Sequence, residues 1–475
     1  MTEAIKEKAR AFTTKQLVGL VLAIVVFVVS YSIPGNELLT HEGITAIGIL
    51  LSAVCMWFCG TMATGVVGLL ACLALFVSGV VPEFGKAFSG YTTTTTWFIL
   101  GVYCMTALIQ MSSLGTRITK KFILLAGADS RKLILAIMMV TGLISFIMTD
   151  TGAVALSLSF VLPMLAIVGA VKGKSNIGKC LLLGVSFAAL LGGFATPIGH
   201  SLNVLGAGLL TSATGQEINF LKWMAYGVPV FAVSVIVAWL GLIKAFPPEE
   251  ITQEKIDELM ENQFKTGKFT THDYKCLVLV VGLPVLWILG NWFPIFNSTS
   301  VALLGMILMF IPGMNICTWK EFESMASWNL FLFFGGILSI GAAIQSTGAA
   351  DFIATLFLNS GIMDIPVLVS FLLIGVVLYL LHTLCPISPA WVAILLPPLI
   401  TYAVTIGVDP FVPTFMLISI IAGSFLVPLC PAMNMTYDTG WYTFGETAKG
   451  GWLLSVVFVL FDVLWCFLLA VVIGL

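Results

Sequence analysis

Asp150 is the sharpest chemical signal in this chain. It stands in Thr149-Asp150-Thr151-Gly152, inside an otherwise apolar stretch from Leu133 to Val171. An ionisable side chain at membrane depth costs on the order of 3 kcal/mol or more unless it is paired, protonated or beside a cation. A carboxylate there therefore binds a monovalent cation or takes up a proton, because left bare it would repel an anion. The plainer reading is a helix cap that satisfies free N–H groups of the arm beginning at Gly152-Ala153-Val154. Around it, Thr149, Thr151, Thr196, Asn203, Ser388 and Asn434 offer neutral donors, and no Lys or Arg lies nearby in the sequence. An anion at such a place would be held by helix amino termini, hydroxyls and amides. His200 and His382 add imidazoles that could complement a second carboxylate or respond to pH. A lone histidine on an apolar face is more often merely hydrogen-bonded, and Asn203 and Asn434 equally suit bonding to irregular backbone.

These residues cluster where apolar helices are broken. GFATPIGHSLN (193–203) and GSFLVPLCPAMN (423–434) each put prolines and an Asn into a membrane-like run, and Pro197 to Pro428 and Asn203 to Asn434 are both separated by 231 residues. Backbone freed at a break inside a bilayer must be satisfied by protein, ions or a water-lined cavity. Paired breaks in corresponding halves are thus the sequence mark of a membrane carrier's binding site.

The elements that position them follow from composition. With 475 residues, 59% of them hydrophobic and 9% charged, and a mean hydropathy of +1.08, the chain is an all-α polytopic membrane protein. The basic amino terminus and first span (1–42) precede a first repeat (43–246), a polar linker (247–273) and a second repeat (274–475). Leu17 to Ile33 is long for a signal-peptide core and reads as a retained helix. The stretch 116–132 reads as an interfacial amphipathic helix. Residues 133–171 have a first arm of about sixteen residues, some 24 Å, too short for a ~30 Å hydrocarbon core. They therefore read as a re-entrant hairpin with its tip at Asp150, and 366–402 as a second with its tip at His382 to Pro389. The broken helices span 178–210 and 411–440. The expectation is about 11 transmembrane helices plus two re-entrant hairpins in an inverted repeat.

Parity supports the inversion, since an odd number of crossings per repeat starts the second on the opposite side. With a cytoplasmic amino terminus, all 21 basic residues except Lys86 and Lys222, hence 19, fall on the cytoplasmic side, as the positive-inside rule requires. The carboxyl terminus is then outside. Ten cysteines form no CxxC pair and read as small packing residues, and no P-loop suggests a pump. Neither an enzyme nor a cofactor is indicated. A channel or a non-transporting receptor would fit paired breaks and hairpins less well.

GGFATPIGHSLN (192–203), INFLKW (218–223) and MTYDTGWYTFGE (435–446) together resemble motifs of the divalent anion/sodium symporter, or INDY-type, family of dicarboxylate transporters, and the resemblance covers nearly the whole chain. It implies a homodimer in a bacterial plasma membrane, with scaffold and transport domains and an elevator-like motion. It further implies sodium-coupled transport of small carboxylates, most plausibly C4-dicarboxylates, with exchange or proton coupling as the alternative on the same fold. Substrate and sodium would be held jointly by tips and breaks, which makes Thr149, Asp150, Gly199 and Cys430 the candidate sodium ligands. The chain departs from the family pattern in three places. Thr149-Asp150-Thr151 and Pro386-Ile387-Ser388-Pro389 replace Ser-Asn-Thr tips, and His200-Ser201-Leu202-Asn203 replaces Thr-x-Pro-Asn.

Overall fold

Backbone polar groups have no water to bond in a bilayer core, so a chain this apolar satisfies them within helices. The computed structural model describes residues 13–265, 267–384 and 388–474, and every regular element among them is helical. Ten helices are long and apolar enough to cross a membrane, or up to 11 when the bent pair Thr94–Gln110 and Leu114–Ala126 is one span. Three of the ten, Asp150–Ile167, Val367–Leu384 and Ser388–Thr405, are hairpin arms. Conversely Thr64–Val77, Ser298–Leu308 and Phe411–Ala422 fall below span length. Short spans and broken spans account for the difference.

The helices pack in two groups. In the first, Thr64–Val77 lies against Trp328–Ser346 and Thr94–Gln110 against Ser298–Leu308, each a first-repeat helix on a second-repeat helix. Lipid supplies no hydrophobic drive between helices, so such contacts depend on close approach of small residues. A Cβ at Gly68 would lie 3.3 Å from the Gly336 Cα, and one at Gly101 would lie 2.7 Å from the Ala302 backbone. Thr14–Ser32 packs on His41–Cys59, whose end is turned by Gly60 at φ 60°.

The second group holds the hairpins, the broken helices, Phe220–Ala245 and Phe444–Phe467. Two short helices, Leu114–Ala126 and Ala349–Leu358, touch it from outside, the former on the first hairpin and the latter on the second. The first hairpin (Ser130–Ser145 and Asp150–Ile167) begins three residues earlier than its apolar stretch. Asp129 causes this, since its carboxylate accepts from the Arg131 and Lys132 amides (2.9 and 3.2 Å) and caps the arm. The interfacial helix accordingly ends at Ala126. Both outer ends of the hairpin are tied to the 247–273 linker: Ser130 Oγ donates to the Glu249 carbonyl and Lys255 to that of Val168. Thr141 and Ser157 lace the arms at 2.8 Å. Of the expected second tip, His382 to Pro389, residues Cys385 to Ile387 lie outside the described residues.

Each broken helix starts beside the start of the span that follows the other, and an ion pair joins them. Lys179 meets Glu446 at 2.5 Å, and Lys222 meets Asp409 at 2.6 Å, with the charges exchanged between repeats. Burial opposes ionisation of Asp409, but Lys222, the Phe411 amide and Gln216 outweigh it and hold the carboxyl below the usual range. The first broken helix has a second anchor. Glu249 accepts from the Asn176 and Ile177 amides, both at 2.8 Å, as a carboxylate at a helix amino terminus should. Against its partial burial, those donors lower its pKa.

Candidate functional site

The first broken helix ends at Ala195 and resumes at Ser201, and the hairpin tip docks into that gap. Thr196 Oγ1 donates to the Phe146 carbonyl (2.7 Å), and the Asp150 amide donates to the Gly199 carbonyl (3.1 Å). One turn away, Ser145 Oγ donates to the Ala189 carbonyl at 2.7 Å. Tip and break therefore satisfy each other's freed backbone groups. Because this break lies midway along Asn176–Thr214, the tip reaches only that depth, as a re-entrant hairpin does.

Thr149, not Asp150, caps the second arm, its Oγ1 accepting from the Gly152 amide at 3.3 Å. The capping explanation for Asp150 thus fails, because a shorter hydroxyl one residue earlier already meets the free N–H. Thr151 Oγ1 in turn donates to Thr149 Oγ1 at 3.4 Å. The Asp150 side chain, with 11% exposure, is left facing His200, whose Nε2 is 3.4 Å from Oδ2. His200 is itself the cap of the resumed helix, Nδ1 accepting from the Leu202 amide at 3.0 Å. Asp150 therefore has an imidazole, and no Lys or Arg, as its partner within 4 Å among the described residues.

Asn203 is wholly buried, and its amide donates to the Gly193 and Thr196 carbonyls (2.8 and 2.7 Å). Both donors are consumed by the broken backbone. What remains is Oδ1, which has no partner, and an acceptor suits a cation where a carboxylate needs a donor. Its repeat mate behaves differently. Asn434 is half-buried on Pro431–Tyr437, and its side chain makes no hydrogen bond among the described residues. Its donors are free.

The second repeat reaches the same place. Cys430 begins the resumed helix Pro431–Tyr437 close enough to Asp150 to feel its charge. His382, on the second hairpin's arm, is within electrostatic reach of His200. It is 1% exposed and neither ring nitrogen has a partner. Ser388, half-buried, opens the following arm. A hydroxyl network of Ser186, Thr436 and Tyr442 ties the first broken helix to the second.

The first helix group contributes residues that sequence reasoning missed. Tyr103 and Ile99 of Thr94–Gln110 face Thr149, Ile198 and His200 across a cavity of about 10 Å3. That is room for about one water and far below the ~300 Å3 of a ligand pocket, so this helix packs closely on the first tip. Thr106 approaches the tip at Gly152, and its buried Oγ1 has no partner. Its only sequence signal was a hydroxyl in an apolar span. Asp462 takes a hydrogen bond from Ser419, within the hairpin-bearing group and not the other one.

Half-helices and hairpins from two repeats that meet at one depth, with polar backbone turned inward, define a membrane carrier. The chain belongs to the sodium:sulfate symporter family, whose transmembrane region matches residues 14–473. It is an integral membrane transporter and not an enzyme. A protein of Staphylococcus saprophyticus named sodium-dependent dicarboxylate transporter SdcS is 25% identical over 95% of this chain and 91% of its own length. The Staphylococcus aureus MRSA252 protein of the same name is 24% identical, covering 85% and 81%. In fold the chain resembles the Alcanivorax borkumensis YdaH transporter and Neisseria gonorrhoeae MtrF. Both have a TM-score of 0.54, at 11% and 14% identity, over 96% of this chain and 97% and 95% of theirs.

Proposed function

We propose that the protein is a secondary active transporter that carries small carboxylate dianions, foremost C4-dicarboxylates, coupled to sodium. The observation that carries this reading is the setting of the first tip. Asp150 is a buried carboxyl that faces the imidazole of His200, whose Nδ1 accepts from the Leu202 amide, and among the described residues no Lys or Arg pairs with it. A monovalent cation supplies the missing charge, with the free Oδ1 of Asn203 and the Gly193 and Gly199 carbonyls as further oxygen ligands of the kind sodium takes. Once the cation is in place the tip no longer repels an anion. The substrate carboxylates then find Thr149, Thr151, Asn434, Ser388 and helix amino termini as donors. The substrate class rests on the names of the staphylococcal relatives.

The two helix groups support an elevator-like cycle in which the hairpin-bearing group moves against the other. A cavity of about 50 Å3 between them, lined by Thr94, Thr95, Thr211 and Glu217, reaches Pro197 in the first break. With the amino terminus cytoplasmic, it opens toward the outside. A homodimer, as the family resemblance implies, gives the fixed group something to be fixed to.

Proton coupling is the second reading, favoured by the contact of Asp150 with a histidine. Uptake of labelled succinate into proteoliposomes separates the readings when a sodium gradient, a proton gradient or trapped dicarboxylate is the sole driving force. Concentrative uptake on sodium alone is expected. Uptake driven only by protons, or only by internal dicarboxylate, would replace it with proton symport or exchange.

A further inference from the structure

Asp462 is buried completely in the span Phe444–Ile473, roughly 16 Å from its outer end and 27 Å from its inner end at 1.5 Å per residue. Oδ2 accepts from Ser419 Oγ at 2.8 Å, and Oδ1 has no partner. The helices packed against it are Phe220–Ala245, Val367–Leu384 and Phe411–Ala422. Phe411–Ala422 has no titratable side chain. Lys222 is committed to Asp409, and Lys244 lies at the cytoplasmic end. His382 lies toward the tip of its hairpin, about two turns beyond Gly375, which packs on Val463. On the same helix Glu446 is paired with Lys179, and Lys449 sits over Phe246 at the inner end. What remains on these helices is Tyr226, Tyr379 and Cys466, none of them a cation.

A buried carboxylate with one hydroxyl donor and no cation is an arrangement that burial penalises strongly, and a proton removes the penalty. The position gives that proton a consequence. Ser419 is three residues from the end of its helix at Ala422, where the second break begins. One turn before Asp462, the Phe458 ring packs on Phe425 in the second break (5.3 Å) and on Phe194 just before the first (5.5 Å). We propose that Asp462 and Ser419 form a proton-binding site behind the second break, occupied at neutral pH. Losing the proton, to hydroxide or water, leaves the electron pair on Asp462 as an unpaired charge beside Phe458. That charge separates the two breaks and stops transport at alkaline pH. The last step rests on the transport reading above, whereas the occupancy does not.

Infrared difference spectra of the full-length purified protein, wild type minus Asp462→Asn, test occupancy without any substrate. A protonated-carboxyl C=O band present at pH 7 and bleached by alkali is expected, and Ser419→Ala should shift its frequency because it removes the one hydrogen bond. Absence of the band, or a band untouched by Ser419→Ala, overturns the site. In proteoliposomes, wild-type uptake should fall about tenfold per pH unit once the proton is lost. Asp462→Asn, which mimics the neutral acid, should transport at pH 7 and lack that alkaline fall. An Asn variant that folds, by its melting temperature, yet is inactive at pH 7 or keeps the wild-type alkaline limb overturns the control of transport.

Discussion

Replacing Thr196 by valine removes one hydroxyl and almost no volume, and it strikes the bond that docks the first hairpin into the first break. In the folded chain Thr196 Oγ1 donates to the Phe146 carbonyl at 2.7 Å. The residue that would ordinarily donate to that carbonyl in a continuous helix is Asp150, whose amide goes to Gly199 instead. Valine therefore leaves a buried carbonyl without a partner, which costs about 1–3 kcal/mol. If that energy falls on the docked tip, its population drops roughly 5- to 150-fold against an undocked one. Asp150 then loses its fixed place beside Gly199, and the half-saturating sodium concentration for succinate uptake should rise by a comparable factor. Thr196→Ser keeps the donor and should behave as wild type. The melting temperature in detergent should fall in Thr196→Val and not in Thr196→Ser, a readout independent of any transport assay. A valine variant with unchanged sodium dependence and unchanged melting would show that the tip is held by packing alone, and the docking argument would be wrong.

His200 Nδ1 accepts from the Leu202 amide and caps the resumed helix. His200→Asn, which keeps an acceptor at the cap, should melt as wild type, whereas His200→Leu should lose about 1 kcal/mol of stability; equal melting of the two variants refutes the cap. Glu249→Ala should lower stability by about 1 kcal/mol, the usual worth of a lost helix cap. Since its pKa is lowered in the fold, the difference from wild type is complete above the ordinary glutamate pKa and disappears as pH falls through the lowered value. Melting measured across that acid range checks the sign. Lys179→Met alone should destabilise more than Lys179→Met with Glu446→Gln, because the single change strands a half-buried carboxylate. Equal melting temperatures for the two would mean that the pair contributes nothing.

The architecture was legible because membrane helices are specified locally. Apolar length marks a span, a proline inside it marks a break, and a polar tetrapeptide such as Thr149 to Gly152 marks a turn. The 231-residue spacing of Pro197 with Pro428 marks the repeat in the sequence alone. Asp150, His200 and Asn203 stood out for the same reason, as polar groups where lipid penalises them.

Their roles were not legible, because hydrogen bonds are allotted in three dimensions. Sequence offered Asp150 as a cap and Asn203 as a donor to substrate. In the fold Thr149 takes the cap, and two carbonyls of the break consume the Asn203 amide, leaving an acceptor in its place. His200 was offered as a partner for a carboxylate, yet one of its ring nitrogens is taken by a backbone N–H as a helix cap. Thr106 and Tyr103 gave no signal of this contact, since nothing in an apolar helix says which of its faces will meet a tip about fifty residues away along the chain. Sequence by itself determined which segments lie in the membrane and where they break, because transfer from water to lipid acts on each segment separately. Only the tertiary structure decided which polar group answers which, because that depends on atoms brought within 3 Å by helices far apart in the chain.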